Sequence, residues 1–264
     1  MRGEISVVGG AVAAFSCLVR FWNRAAAALG LVALLDAGFI LAVVNRHFSR
    51  AGALAAAGVI AATMARGALF HVALDRGGSR GPGLGFQWSG VEWRLLGVVL
   101  LRAFLFGLLI ALLLTLLGAL YVGLAAAEPG AGGVASPEHW RRTLDPVGWT
   151  VVSAAALAGL AGLVWMGLRL CLAFPATVAS NRVQLLSTWP LTRGRAWRLL
   201  GAAVLVSAPS AALACGIVAA RSYLGASGIA ATAGFGHGFL TLPLSVGLMS
   251  YAHDRLCPDT AGAD

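Results

Sequence analysis

Residues 95–122 read LLGVVLLRAFLFGLLIALLLTLLGALYV, with Arg102 as the only charge. A helix needs about 20 mostly apolar residues to cross the hydrocarbon core of a bilayer, and this run exceeds that length. Within lipid the backbone N–H and C=O groups must be satisfied inside the segment, which makes the run a helix. Working outward, five further stretches qualify: 25–44, 51–74, 149–174, 198–220 and 228–252. The expected fold class is therefore all-α: a polytopic membrane protein whose six-helix transmembrane domain covers 25–252, followed by a short cytoplasmic tail, 253–264.

Composition agrees. Of 264 residues, 59% are hydrophobic and 11% charged, too little polar material to cover a soluble globule of this size. Intrinsic disorder requires low hydrophobicity and is excluded. The 19 basic residues are all Arg, against 10 acidic ones, giving a net charge of +9. They stand at the edges of apolar blocks and form no single basic surface, so lipid headgroups, not nucleic acid, are the expected partner. The four cysteines are far apart with no CxxC pair, which points to neither a zinc site nor a disulfide framework.

In residues 1–24, Ile5, Val8, Val12, Phe15, Val19 and Trp22 recur at steps of three and four, with Glu4, Ser16, Arg20, Asn23 and Arg24 falling elsewhere. That pattern predicts an amphipathic helix lying in the membrane interface ahead of the first span. A signal peptide is the rival reading, but its n-region would be minimal and no convincing cleavage site follows.

Arginine placement predicts orientation. With the N-terminus inside, eleven arginines fall in inner segments and five in outer loops. Both termini are thus expected to be cytoplasmic. Arg66, Arg102 and Arg169 lie within spans two, three and four, roughly 7 to 12 Å from their inner ends at the helical rise. They either snorkel to the headgroups or ring a polar cavity.

Asp36 sits in LVALLDAGFILAVV, roughly 16 Å from the inner end of the first span. A carboxylate at that depth is costly unless paired or protonated. An ion pair with Arg66 or Arg102 is the expected solution; a protonated carboxyl bonded to backbone is another. A proton relay would need a chain of such groups, and no second acidic residue stands at depth. His71 and His237 also lie within spans, the first near the inner surface and the second nearer the outer. Their separation argues against a shared haem or metal, and no cofactor is expected. Gly234 and Gly238, in GFGHG, form a small-xxx-small face for internal packing or for a homodimer. Pro209 and Pro243 fall inside spans five and six, where the freed carbonyls need other donors.

The pentapeptide WRLLG occurs at 93–97 and at 197–201, each opening a span, with Gly90 and Gly194 at the same offset. Trp88, Trp93, Trp189 and Trp197 stand beside Arg94, Arg193, Arg195 and Arg198, the aromatic and basic anchoring of an inner interface. VQLLSTW (183–189) reads as a short helix on that surface. Arg169, Arg182, Arg193, Arg195 and Arg198, with Trp189 and Trp197, are candidate contacts for anionic headgroups. In the outer loop 123–148, Ser136, Pro137 and Glu138 are suited to begin a short helix.

The stretch RLCLAFPATVASNRVQLLSTWPLTRGRAWRLLG (169–201) resembles the signature of a set of bacterial membrane proteins related to the membrane domain attached to some glycerophosphodiester phosphodiesterases. The resemblance lies in the span ending at Phe174 and Pro175, then Ser187, Trp189, Leu191, Thr192, Gly194 and Trp197; FQWSGVEWRLLG (86–97) and the N-terminal segment fit the same pattern. It implies a six-helix bundle of unassigned role. The soluble phosphodiesterase barrel has no counterpart in this chain, so no catalytic residues carry over.

No HExxH, P-loop or paired intramembrane carboxylates occur, so an enzyme is not expected. The expected function is that of a non-catalytic scaffold or accessory protein binding lipids or membrane-protein partners. The alternative is a transporter or channel for a small solute or ion, using Asp36 and the inner-half arginines.

Overall fold

The computed structural model describes residues 4–74, 88–127 and 144–257, and every regular element among them is helical. In chain order these are α1 (Val7–Val44), α2 (Phe48–Ala73), α3 (Gly90–Ala127), α4 (Pro146–Arg169), α5 (Ala173–Ser180), a 3-10 turn (Leu186–Thr192), α6 (Ala196–Ala219), α7 (Gly225–Gly236), a π turn (His237–Thr241) and α8 (Leu242–Leu256). Six stretches are long and apolar enough to cross a membrane, and each contains or closely overlaps one of the six spans expected from sequence. The short helix expected at Ser136–Glu138 lies outside the described residues, as does most of the tail.

The chain divides into two compact units, one of Met1–Val99 with Arg169–Asp264, the other Leu100–Leu168. In the first, α1 is central, with α2, α6, α7 and α8 packed on it. The second joins the rest of α3 to α4. Leu113 meets Gly159, Tyr121 tilts on Trp149 at 6.3 Å, and Arg102 approaches Gly167. Residue numbers that rise on one helix as they fall on the other describe an antiparallel hairpin.

The N-terminal segment is corrected. Instead of a separate interfacial helix over 1–24, one helix runs from Val7 to Val44, bent where Ala25 leaves helical geometry (φ −134°, ψ 16°). Ser6 caps it, its hydroxyl accepting from the Gly9 N–H at 3.1 Å. The stripe Val8, Val12 and Val19 is more than 60% exposed, while Ala11 and Ala14 are buried against Ala202, Val206, Leu244 and Leu248. The physical reason is backbone proximity: Gly10, Ala11 and Ala14 let α6 and α8 approach closely, and a Cβ on Gly247 would stand 2.9 Å from the Ala14 Cα. A helix with small residues inward and large apolar ones outward has the same hydrophobic period as an interfacial helix.

Span four is also divided differently. Helix α4 stops at Arg169, and the buried helix α5 follows, with Ala173 through Val178 all shielded. Residues 183–185 are not helical. The 3-10 turn begins at Leu186 and carries Pro190, while Gln184 donates its N–H to the Thr177 hydroxyl at 3.1 Å. Thr188 and Thr192 are buried and return their hydroxyl protons to the carbonyls of Leu185 and Trp189.

Candidate functional site

Asp36 meets a histidine. Its Oδ2 lies 2.5 Å from Nδ1 of His237, across the contact between α1 and the start of the π turn. Neither side chain is sealed: Asp36 is 29% and His237 42% exposed. The seam beneath them is tight. Gly234 and Gly238 flank His237; a Cβ on Gly234 would collide with the Ala33 carbonyl oxygen, and one on Gly238 would stand 2.8 Å from that of Leu29. Only glycine permits two helix backbones this close, and the closeness brings a short carboxylate within reach of the imidazole. On α2, a Cβ at Gly58 would stand 3.8 Å from the other carboxylate oxygen.

The backbone around His237 is loosened for an identifiable reason. Pro243 has no N–H to give to the carbonyl four residues before it, that of Phe239. The π turn His237–Thr241 lies immediately upstream, and the indole N–H of Trp22 donates to the Phe239 carbonyl at 2.9 Å. Thr241 bonds the Ser210 hydroxyl on α6 at 2.9 Å. Two helices, α1 and α6, are thereby tied to one turn through polar contacts.

The arginines expected to pair with Asp36 stand elsewhere. The guanidinium of Arg66 lies over the Phe174 ring at 5.6 Å. That of Arg102, in the other compact unit, lies over Phe106 at 5.4 Å. The hydrogen-bond partner of Asp36 is His237 because the glycine-lined seam places α7 and the π turn, not an arginine-bearing helix face, against that turn of α1.

A second polar region gathers at the end of the first unit where α1 begins. Ile5, Leu172, Leu199, Ala252 and Leu256 form its apolar floor, joining the starts of α1 and α6 to the α4–α5 turn and the end of α8. Around it Arg169 lies over Trp189 at 5.1 Å and Arg255 over Tyr251 at 5.5 Å. Arg94 donates to the Asn181 amide oxygen. Arg198 reaches Glu4 at 3.3 Å, with both side chains largely exposed, so the pair is worth about 0 to 1 kcal/mol. Arg182, Arg193 and Trp197 are exposed, and Nη1 of Arg195 is shielded without a hydrogen bond.

One buried acid escaped the sequence reading. Ser89 and Glu92 make a reciprocal cap on α3: Val91 N–H to the Ser89 hydroxyl at 3.2 Å, Ser89 N–H to the Glu92 carboxylate at 2.6 Å. Glu92 is 1% exposed, in space that Gly67 leaves open, with His71 Nε2 3.9 Å away. The signal was S-x-x-E just ahead of an apolar run.

Among the described residues no group of three or more His, Cys, Asp or Glu is arranged to hold a metal ion. Fold and site together define a class, the multi-pass helical membrane protein. Beyond the class, the chain matches no protein-family model, no curated protein and no solved structure.

Proposed function

We propose that this protein is a non-catalytic membrane scaffold that holds anionic lipid headgroups at its arginine-rich end, and that this end faces the cytoplasm of a bacterium, with both termini on that side of the inner membrane. The observation that supports this reading is how the arginines are held. Arg255 rests on a tyrosine ring and Arg94 on a neutral amide. Rings and amides fix a guanidinium in place without cancelling its charge, leaving it free to meet a phosphate. Arg182 and Arg193 add exposed charge, and Trp189 and Trp197 supply the amphipathic rings suited to headgroup depth.

The test is lipid retention. The full chain is reconstituted in nanodiscs of mixed phosphatidylcholine and phosphatidylglycerol, released, and examined by native mass spectrometry. The expected outcome is selective retention of phosphatidylglycerol. Changing Arg182, Arg193 and Arg195 together to Gln lowers that preference on the order of 100-fold, at about 1 kcal/mol per arginine near a charged surface. Equal retention of both lipids by the wild type overturns the reading.

A second reading, passage of a small solute or ion, is favoured by one observation: Asp36 meets another ionisable group, His237, well inside two spans. In sealed vesicles with a trapped pH-sensitive dye, this reading expects an imposed pH gradient to collapse faster with the wild type than with Asp36→Asn. Equal rates reject it.

A further inference from the structure

We propose that Asp36 and His237 together form a one-proton binding site within the membrane-spanning part of the protein. The pair joins helices far apart in sequence, with Nδ1 of the ring within hydrogen-bond reach of the carboxylate.

Charge balance shows what the site binds. Carboxylate with imidazolium, and carboxylic acid with neutral imidazole, hold the same number of protons and are both net neutral. Removing one proton leaves a carboxylate accepting from Nδ1–H of a neutral ring, with one net negative charge. The hydrogen bond survives in either state, so the exchanged proton enters and leaves at Nε2. No described residue bonds that nitrogen, and the ring is 42% exposed.

The surroundings supply no nearby countercharge. Asp36 is the one charged or titratable side chain among the described residues that is hydrogen-bonded or ion-paired with His237. Helix α7 contributes none. Distances along the neighbouring helices follow from the helical rise. On α1, Arg24 precedes Asp36 by about 18 Å, with Arg20 and Cys17 beyond it, and Arg46 follows by about 15 Å. On α2, Arg50 and Arg66 each lie about 12 Å from Gly58, the residue facing Asp36, and His71 lies further still. On α6, Arg198 is about 18 Å before Ser210, and Cys215 is about 8 Å after it. On α8, Tyr251 is about 21 Å past His237, followed by His253, Asp254 and Arg255. The bound proton is therefore the nearest positive charge available to neutralise Asp36.

The π turn supplies an independent reason to look here. Such turns interrupt a helix at a cost and occur frequently at functional sites. This one starts at His237 and is anchored on both sides, by Trp22 to the Phe239 carbonyl and by Ser210 to Thr241. A change of charge on the pair is felt by a backbone segment already released from regular geometry.

The experiment titrates the wild-type full chain in lipid nanodiscs. Imidazole nitrogen NMR follows the histidine rings, with His237→Gln identifying the relevant signal, and infrared difference spectroscopy follows the Asp36 carboxyl. The expected result is one coupled transition: Nε2 of His237 loses a proton while Nδ1 stays hydrogen-bonded, and the carboxyl band changes over the same pH interval. In Asp36→Asn the histidine transition moves and the band is lost; Asp36→Glu, which keeps the acid, serves if the amide variant does not fold. The proposal is overturned if neither wild-type signal changes over the pH range in which helical circular dichroism is constant, or if the histidine transition is the same without the carboxylate. A proton can be held with no solute crossing, so this titration and the vesicle flux assay fail independently.

Discussion

The indole N–H of Trp22 donates to the main-chain carbonyl of Phe239 across 2.9 Å, joining the first arm of α1 to the carbonyl that Pro243 deprives of its α-helical donor. Trp22→Phe keeps an aromatic ring and removes the donor. It is expected to lower stability by about 1 kcal/mol, the net worth of one such bond. In a Pro243→Ala background, residue 243 regains an N–H and the same substitution costs less. Thermal unfolding of the four proteins in one detergent checks this, and an equal cost in both backgrounds would refute the link between proline and indole.

The seam beneath the Asp36–His237 pair predicts a sharp contrast among glycines. Gly234→Ala drives a methyl into the Ala33 carbonyl oxygen and sets it 2.9 Å from the Ala37 backbone nitrogen. The neighbours are main chain and cannot rotate away, so α7 must move off α1. The cost is about 1 to 3 kcal/mol or more, and the displacement lengthens the hydrogen bond. Gly52→Ala on α2 meets nothing within 4 Å and should be neutral or stabilise by up to about 1 kcal/mol. Melting temperatures compare the two, and the imidazole signal of His237 should shift in the first variant only.

The six spans were legible because long apolar runs admit one solution in lipid, and no tertiary knowledge was needed to find them. The first arm of α1 is ambiguous in sequence because Val8, Val12 and Val19 give a helical period whether they face an interface or point out of a bundle. Gly10, Ala11 and Ala14 on the other face held the information, and small residues register weakly on a hydrophobicity scale. His237 reads as nearer the outer end of its span, and its depth matches that of Asp36. Both lie eight or nine residues from the outer ends of the spans read from sequence, about 12 to 14 Å at the helical rise. Formal charge alone points a buried carboxylate to an arginine, whereas matching depth points it to the histidine.

Glu92 ties the start of α3 to α2, and its role separates into two measurable parts. Glu92→Gln keeps an acceptor for the Ser89 N–H and loses the charge; Glu92→Ala loses both and empties the space beside Gly67. The alanine variant is expected to lose about 1 to 2 kcal/mol, in line with removal of a helix cap, and the glutamine variant less. Hydrogen exchange at the amides of Val91 and Trp93 should accelerate most in the alanine variant. Unchanged exchange there would mean that the cap does not hold the first turn.

Asn181 combines two functions that substitution can separate. It ends α5 with positive φ, 53°, and its amide oxygen accepts from Arg94. Glycine adopts that backbone conformation freely, asparagine does so with little cost, and other residues pay about 1 to 2 kcal/mol. Asn181→Gly is therefore expected to leave the melting temperature nearly unchanged while releasing the Arg94 guanidinium, whereas Asn181→Ala releases Arg94 and also destabilises the chain by about 1 kcal/mol. If Arg94 belongs to the headgroup surface, both variants change phosphatidylglycerol retention alike despite their different stabilities. Retention that instead follows the melting temperature would show that the amide matters for backbone geometry alone and that Arg94 needs no positioning.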